Sequence, residues 1–514
     1  MVTKVYVEHN RYVDSVTLMD VREKAMKQPG VQIAEIQMGT PANMEIMAEL
    51  GFEISGDIGS SDLVSGIMAD SEESAKAVMD YMAALLNRTA VNEDEQFADL
   101  CEIDIASTGY NLVQISLPGE YAAAEAEKAI NMGLDVFIFS DNVSLEDELR
   151  LKQLGREKNV LVMGPDCGVG LIDGVALAAG SIVRRGEIGI VGASGSGAQE
   201  VACIIERCGF GVSQIIGTGG RDLYPEIGGI AMMEAIKRLE KDAQTKVIVL
   251  VSKLADTAVM ESVLDFADRV SKPTVAVFLG GGKEIFMGHA VKGAFSLEEA
   301  AETAVELLSG EKHRCGYTDE ELKGLAEREI SMLSAEQKYF RGLFCGGTFT
   351  EECLLYFSEN ASGMSIYSNL RNKYSTQLAD AEISVGHTIL DLGAENFTEK
   401  LPHPVFDSRL RIKRLKRELE DETVAVVMMD FITGPGVDED PFTDIIAMCS
   451  AANSAEKHVS FICSICGSDE DPQVVQEKAR LLRESGAIVT GSNYQSAKLA
   501  CMMMNMLSGR GAGL

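Results

Sequence analysis

The sequence lacks the long apolar segments that membrane proteins need. Of its 514 residues, 46% are hydrophobic and 24% are charged, a composition typical of globular domains. The longest apolar runs, 247–251 and 274–279, have only the length of a strand, whereas a membrane span needs about 18 apolar residues. The first ten residues also lack the basic and apolar regions of a signal peptide. We therefore predict a cytoplasmic protein with no membrane among its partners.

Positive charge is also scarce. Lys and Arg total 46 against 79 Asp and Glu, which gives a formal net charge of -33 at pH 7. A surface this acidic repels phosphate backbones and anionic lipids, so we expect no nucleic-acid partner. A small anionic substrate would need a local site made of backbone N–H groups.

Clustered metal ligands and nucleophiles are missing as well. The eleven Cys are an odd number, and the pair Cys463 and Cys466 has no second pair or His at ligand spacing. We expect free thiols in a reducing compartment and no metal site. Among six His, His289 follows a predicted strand in a Gly-rich connection, a position suited to a nucleophile. No Ser-His-Asp order is apparent.

Strand and helix signals alternate along the chain. Strands separated by helices of about 10–15 residues predict parallel sheets covered on both faces, hence an α/β protein with several doubly wound sheets. The predicted units are a small α/β domain (1–105, ending in an acidic linker at 92–104), a Rossmann-like domain (106–184), a flavodoxin-like domain (185–310), a charged helix-prone linker (311–335) and a second flavodoxin-like domain (336–514).

The two flavodoxin-like domains repeat one another. Each begins with a strand and a Gly-rich turn and ends with a helix rich in apolar residues. The corresponding segments are 188–191 and 342–345, 247–251 and 424–429, 274–279 and 459–463, and 297–308 and 496–507.

The Gly-rich turns predict an anion site. Ser196 and Thr348 stand three residues before Gln199 and Glu351, the spacing of a capping box, so both are predicted as N-caps. Free N–H groups at a helix start bind phosphate or carboxylate, so two opposed starts would form one site. The alternative is that both loops are only tight turns. The predicted contacts are Ser194, Gly195, Ser196, Gly197, Gly346, Gly347 and Thr348.

Further Gly-rich turns follow other strands at the same predicted edge. Arg221 is suited to bidentate contact with a carboxylate or phosphate, although a surface role is the alternative. The first loop is neither a Walker motif, since no Lys-Ser/Thr follows it, nor a dinucleotide fingerprint. The additional predicted contacts are Gly219, Gly220, Arg221, Gly393, Asn396, Gly434 and Gly436.

Together these motifs resemble the acyl-CoA synthetases of the succinyl-CoA synthetase type. Gly-Pro-Asp-Cys at 164–167 is similar to that family's Gly-Pro-Asn-Cys turn after the CoA-binding domain. Residues 189–196 and 217–222 resemble its phosphate-binding helix and the following turn, and 340–507 resembles the carboxyl-terminal domain of its other subunit. The resemblance implies a CoA-binding domain, with CoA contacts at Pro165 and Cys167, and alpha-type domains fused to a beta-type domain.

The sequence departs from that family at three places. Residues 5–14 contain no glycine, whereas the synthetases carry a Gly-rich loop on the first strand of their CoA-binding domain. Lys253 replaces a Glu that faces the phosphohistidine. His289 matches the phosphohistidine motif in Met-Gly-His-Ala, but the long loop that should follow is short, and no ATP-grasp module is present.

The fusion headed by a small separate domain most resembles the FdrA proteins. That resemblance implies a subunit of an oxamate carbamoyltransferase of nitrogen catabolism, in which oxalurate and phosphate give oxamate and carbamoyl phosphate with the help of companion subunits. Phosphate or carbamoyl phosphate is the expected ligand, with CoA as a further candidate, and we expect an oligomer. Lys253 and His289 are the predicted catalytic residues, and Lys253 with Arg221 would stabilise negative charge.

Two other functions remain open. One is an acyl-CoA synthetase subunit that uses His289 as a phosphohistidine with a separate ATP-grasp partner. The other is a non-catalytic scaffold that binds phosphate or an acyl-CoA and holds other subunits together.

Overall fold

The computed structural model describes residues 2–13, 15–54, 56, 58–89, 99–253, 255–361, 363–398, 401–454 and 458–511. Most of the predicted linker at 92–104 lies outside these residues. Its described part contains a short 3-10 turn (Leu100–Glu102), and helix α4 (Ile105–Thr108) follows it. Within the described residues, no helix combines the length and the apolar character required to cross a bilayer.

The amino-terminal domain is a three-stranded antiparallel sheet with strand order β1-β3-β2. Its central strand β3 is buried along its whole length, and α1 and α3 pack together over one face of the sheet. Its elements are β1 (Val2–Glu8), α1 (Ser15–Met26), β2 (Val31–Met38), α2 (Pro41–Glu49), β3 (Leu63–Ala69) and α3 (Glu72–Thr89).

The second unit is a small parallel sheet with order β4-β5-β6. Its helices share one core with its strands. The elements are β4 (Leu112–Ile115), α5 (Gly119–Asn131), β5 (Asp135–Ile138), α6 (Leu145–Lys158) and β6 (Val162–Met163).

The third unit is a seven-stranded sheet with order β13-β12-β11-β9-β10-β7-β8, in which β9 to β13 run parallel. The antiparallel hairpin β7-β8 lies before residue 185, so this sheet extends across the boundary predicted there. The elements are β7 (Val169–Ile172), β8 (Val175–Ala178), β9 (Arg185–Gly192), α7 (Gly195–Arg207), β10 (Val212–Gly217), α8 (Ile230–Lys241), β11 (Val247–Ser252), α9 (Thr257–Ala267), β12 (Thr274–Phe278), a 3-10 turn (Lys283–Phe286), β13 (Lys292–Ala294) and α10 (Leu297–Ser309).

The fourth unit is a seven-stranded, fully parallel sheet with order β16-β15-β17-β14-β18-β19-β20. A helix, α11 (Asp319–Met332), precedes it within the predicted linker and packs on α17. The elements are β14 (Tyr339–Phe344), α12 (Gly347–Asn360), β15 (Ile366–Ser368), β16 (Thr376–Gln377), β17 (His387–Asp391), α13 (Glu395–Thr398), α14 (Arg409–Glu420), β18 (Val424–Ile432), α15 (Thr443–Ser454), β19 (Ser460–Cys466), α16 (Val475–Glu484), β20 (Ile488–Val489) and α17 (Asn493–Gly511).

The strand orders confirm the predicted repeat. The run β13-β12-β11-β9-β10 in the third unit matches β20-β19-β18-β14-β17 in the fourth, strand for strand. Central strands such as β11 and β18 are buried throughout, as expected for parallel strands with helices on both faces. The α/β class with several parallel sheets is therefore confirmed.

The two repeats share a hydrophobic core through four helices. Helices α7 and α10 of the third unit pack against each other, α12 and α17 of the fourth do the same, and α7 also contacts α12. Because α7 and α12 follow the first strands of their sheets, this packing brings the two predicted anion-binding loops together.

Candidate functional site

The amino-terminal ends of α7 and α12 meet at a direct hydrogen bond. Ser194 Oγ and Thr348 Oγ1 lie 2.5 Å apart, and both side chains are buried. Each helix follows the carboxyl end of a central strand, β9 or β14, where doubly wound sheets bind ligands. The predicted juxtaposition of the two helix starts is thus present.

The predicted caps are wrong by two residues. The N-cap of α7 is Ser194, whose Oγ accepts a 3.0 Å hydrogen bond from the N–H of Gly197, whereas Ser196 lies inside the first turn. The N-cap position of α12 is Gly346, which has no side chain, and Thr348 likewise lies inside the helix. The spacing misled because Ser-Gly-Ser and Gly-Gly-Thr each place a hydroxyl near the true start.

A buried carboxylate holds the loop before α12. Asp430, two residues before the end of β18, is buried and accepts hydrogen bonds of 2.7 and 2.8 Å from the N–H groups of Cys345 and Gly346. Burial raises the pKa of Asp430, and the nearby guanidinium of Arg411 opposes this rise. The N–H of Gly346 is therefore occupied, whereas the first-turn N–H of Gly347 makes no hydrogen bond among the residues that the structure describes.

Lys253 reaches the start of α12. Its Nζ lies 3.8 Å from Glu351 Oε2, and it would lie 3.1 Å from a Cβ added to Gly347. Asp391 Oδ2 would lie 2.8 Å from the same Cβ. Burial raises the pKa of Asp391 to about 6, and the positive charge of Lys253 opposes this rise. Lys253 thus lies next to the start of α12, where the carboxylates of Glu351 and Asp391 surround it. The sequence predicts Glu351 only as a capping partner of Thr348, and it does not single out Asp391.

A cavity of about 1030 Å³ opens beside the two helix starts. All four units contribute to its wall, and the helix starts form one side of it. From the amino-terminal domain it is lined by Tyr12, Val13, Leu18, Gln37, Met38, Thr40, Pro41 and Asn43, from the second unit by residues 116–120, 139–142 and 166, and from the repeats by Gly168, Val169, Ala179, Gly195, Ser196, Gln199, Cys345, Gly346, Gly347, His403, Val405, Phe406 and Ile432.

Arg221 takes part in a buried ion network with residues of α6. Its Nη2 lies 2.8 Å from Glu148 Oε2 and donates a 2.8 Å hydrogen bond to the carbonyl of Val143. Glu148 also pairs with Lys152, which pairs in turn with Asp222. Arg221 therefore connects the turn after β10 to Glu148 of α6 and to the residue Val143 just before that helix.

Other predicted contact residues have packing roles in the structure. Gly219 has φ +83°, and an added Cβ would lie 2.4 Å from the carbonyl oxygen of Pro165. Gly434, at φ +141°, lies against Gly180 between the two repeats, and Gly436 follows it at φ +78°. Gly220 lines a second cavity of about 20 Å³ together with Gly219 and Cys167, while Asn396 accepts a hydrogen bond from Asn369.

Cys167 is a buried thiol. Its side chain is 4% exposed, and burial raises its pKa to about 12. Its Sγ donates a long hydrogen bond, 3.6 Å, to the carbonyl of Val169. The Pro165–Cys167 turn therefore packs beside the loop after β10, next to the smaller cavity.

His289 lies at the opposite edge of the third sheet. β13 runs parallel to β12 with Lys292 aligned to Val275, so the residues just before β13 lie at the amino ends of these strands. There the Nδ1 of His289 is 2.7 Å from Asp268 Oδ2, directly after α9. The starts of α7 and α12 follow the carboxyl ends of β9 and β14, and Lys253 follows the carboxyl end of β11. His289 and Lys253 therefore lie at opposite ends of the strands, and the structure does not bring them together.

Known proteins are similar to this chain both over nearly its whole length and over separate segments. YahF of Escherichia coli strain K12 is 38% identical over 509 residues, covering 97% of this chain and 98% of YahF. The chain belongs to the same FdrA-type family as YahF. Subunit alpha 1 of the ADP-forming succinate–CoA ligase of Archaeoglobus fulgidus is 28% identical to this family member over 212 residues, covering 39% of this chain and 70% of the subunit.

Three family models match separate parts of this FdrA-type chain. They are described as CoA-ligase (343–503), CoA binding domain (183–278) and AllF, heavy metal-associated domain (1–99). The CoA binding match begins at residue 183, at the end of the segment 106–184 for which the sequence predicts CoA binding, and that assignment stays a prediction. A dinucleotide-forming acetyl-coenzyme A synthetase 1 of Ca. Korarchaeum cryptofilum, solved with phosphate and ADP, is 13% identical, covers 81% of this chain and 86% of its own, and has a TM-score of 0.35.

The metal implied by the amino-terminal match does not fit the residues there. Residues 1–99 contain no Cys and a single His, His9. Soft heavy metals select thiolate or thioether ligands. Thiolates are absent from this segment, and the fully buried thioethers of Met47 and Met82 pack in its hydrophobic cores. The Nδ1 of His9 lies 2.9 Å from Asp62 Oδ2. In this FdrA-type chain the same domain contributes to the cavity wall instead, through Tyr12 and Gln37 among others.

Proposed function

We propose that this protein is a subunit of a phosphate-dependent carbamoyl or acyl transferase of the oxamate carbamoyltransferase type. The observation that carries this proposal is the meeting of α7 and α12 at Ser194 and Thr348. The neighbouring first-turn residues Gly195, Ser196 and Gly347 line a cavity large enough for a small substrate. Phosphate would be held by N–H groups of the two first turns, including those of Ser196 and Gly347, because two helix dipoles converge there.

Lys253 supports the same proposal. An ammonium group next to the first turn of α12 favours an anionic ligand and offsets the carboxylates of Glu351 and Asp391. In the proposed reaction a phosphate oxygen attacks the carbamoyl carbon of oxalurate, and Lys253 stabilises the negative charge of the reacting groups.

The decisive assay measures carbamoyl phosphate formed from oxalurate and inorganic phosphate, with and without companion subunits. Gly347→Ala is the informative variant, because its Cβ would enter the space between Asp391 and Lys253. We expect the KM for phosphate to rise roughly tenfold, which corresponds to about 1.4 kcal/mol. Gly324→Ala, on an exposed face of α11 with open space around it, is the matched control. The absence of carbamoyl phosphate in every reconstituted mixture would contradict the proposal.

A second candidate is an acyl-CoA ligase-type subunit, favoured by the matches to the CoA-ligase and CoA binding models. Incubation with labelled ATP, or with succinyl-CoA and labelled phosphate, would then leave an acid-labile label on the protein. Loss of that label in His289→Asn would support this candidate, although His289 lies away from the helix starts. If no substrate is turned over while companion subunits still assemble, a scaffold is the remaining function.

A further inference from the structure

His403 forms part of the cavity wall next to the start of α12. It lines the cavity together with Cys345 and Gly346, the residues that lead into that helix. A Cβ added to Gly393 would lie 2.2 Å from His403 Nε2 and 2.9 Å from the carbonyl oxygen of Cys345. The absence of a side chain at Gly393 therefore allows the imidazole to approach the loop at the candidate phosphate site.

The hydrogen bonds of His403 define which ring nitrogen carries the proton. Nδ1 accepts a 3.2 Å hydrogen bond from the backbone N–H of Val405, so the proton is on Nε2. Burial lowers the pKa of His403 to about 4, which keeps the ring neutral at pH 7. In the part of the chain that the structure describes, Nε2–H has no hydrogen-bond acceptor.

Hydrogen bonds within the loop and to the amino-terminal domain fix the loop that carries His403. The N–H groups of Phe406 and Asp407 donate to the carbonyl of His403 at 2.8 and 3.2 Å. The carboxylate of Asp407 accepts a 2.9 Å hydrogen bond from Arg22 of the amino-terminal domain. A ring held in this way presents its Nε2–H in one orientation, as preorganised donors in catalytic sites do.

We propose that the Nε2–H of His403 donates a hydrogen bond to the carbonyl oxygen of the group that is transferred to phosphate. This inference rests on the proposed function and adds a substrate-contacting residue to it. Phosphate attacks the carbamoyl carbon of oxalurate, the new C–O bond forms, and the C–N bond to the leaving amide breaks. The proton of HPO₄²⁻ passes to the leaving nitrogen, so the products are oxamate and carbamoyl phosphate.

A neutral donor suits this step better than a charged one. Negative charge develops on the carbonyl oxygen as phosphate attacks, and a positioned neutral imidazole stabilises it without giving up its proton. Lys253 and the helix starts stabilise the phosphate on one side of the reacting carbon, and His403 would stabilise the carbonyl oxygen.

The kinetic test compares His403→Leu with His403→Gln in the assembled enzyme, with oxalurate and phosphate as substrates. We expect the Leu variant to lose about 100-fold in kcat, the effect of removing one oxyanion donor, with a KM for phosphate changed less than about threefold. The Gln variant keeps an N–H donor and should recover a large part of kcat. His313→Gln, which changes a His packed on Phe210 outside the cavity, is the control. Full activity of His403→Leu would overturn the inference.

A second measurement separates failure of this inference from failure of the proposed function. Long-range ¹H–¹⁵N spectra of the ¹⁵N-histidine-labelled full chain should show His403 with a protonated Nε2 and an unprotonated Nδ1 at pH 7. Carbamoyl phosphate, the product that carries the transferred carbonyl, should shift these signals in the wild type but not shift those of His313. A protonated Nδ1, or no shift with saturating carbamoyl phosphate, would overturn the inference. A shift without any turnover of oxalurate would retain the His403 contact and reject the carbamoyl transfer.

Discussion

The carboxylate of Glu352 accepts a 2.9 Å hydrogen bond from the backbone N–H of Leu297. Glu352 lies on α12 of the second repeat, and Leu297 is the first residue of α10 in the first repeat. Glu200, at the corresponding position of α7, accepts a 3.1 Å hydrogen bond from the N–H of Asn493 at the start of α17. Each repeat therefore supplies a buried acceptor to a helix start of the other, which couples the two sheets behind the candidate site.

This arrangement predicts a pH-dependent stability. Burial raises the pKa of Glu352 to about 7, above its ordinary value of 4.5. A raised folded-state pKa means that the native state binds the extra proton, so stability falls as pH rises from about 4.5 to about 7. Glu352→Gln removes this titrating group, so the free energy of unfolding should fall less steeply with pH, by up to about 1.4 kcal/mol per pH unit. Denaturant unfolding between pH 4.5 and 8 measures it. An unchanged slope, equal to that of the control Glu359→Gln at an exposed position of the same helix, would contradict the prediction.

The cap of α7 can be tested by comparing two serines that are two residues apart. Ser194→Ala removes the acceptor for the N–H of Gly197 and leaves the buried hydroxyl of Thr348 without this partner. We expect a loss of about 1–2 kcal/mol in the free energy of unfolding. Ser196→Ala should change it by less than about 0.5 kcal/mol, because Ser196 is not the cap. Equal losses in urea unfolding would indicate that the cap has been misassigned.

Glycine is required at Gly219 for two reasons, its positive φ angle and the lack of space for a side chain. Gly228 shares only the first, so the two positions can be compared directly. Gly219 and Gly228 have similar positive φ angles, +83° and +74°, but only Gly219 has a backbone oxygen, that of Pro165, within 2.4 Å of an added Cβ. Both Ala variants incur the cost of a left-handed residue, about 1 kcal/mol. Gly219→Ala should lose about 1–3 kcal/mol more, because the Pro165 turn must move. The unfolding free energies of the two variants measure this difference, and similar values would refute it.

Much of the fold could be predicted from the sequence because its signals are local. Alternating strands and helices, and the repeated Gly-rich turn after a first strand, define the two large sheets and the meeting of α7 and α12. The exact cap could not be predicted, since Ser196 has the capping-box spacing to Gln199 whereas Ser194, the true cap, does not. The contact of Ser194 with Thr348 depends on tertiary packing. The position of His289 depends on where β13 pairs, and the contact of Arg221 depends on α6. His403 and the amino-terminal part of the cavity wall required the assembly of distant segments.

The charge on Lys253 should control both the anion affinity and a neighbouring titration. Lys253→Gln removes the cation that opposes the raised pKa of Asp391, so the pKa of Asp391 should rise above about 6. Phosphate binding should weaken about fivefold or more, since one charge interaction at about 4 Å contributes roughly 1 kcal/mol in water. Calorimetric titration of the full chain with inorganic phosphate at pH 7 measures this loss. Lys246→Gln, just before the opposite end of β11, removes the same net charge from an exposed position, and an equal loss in that control would show that the overall charge rather than the site controls the affinity.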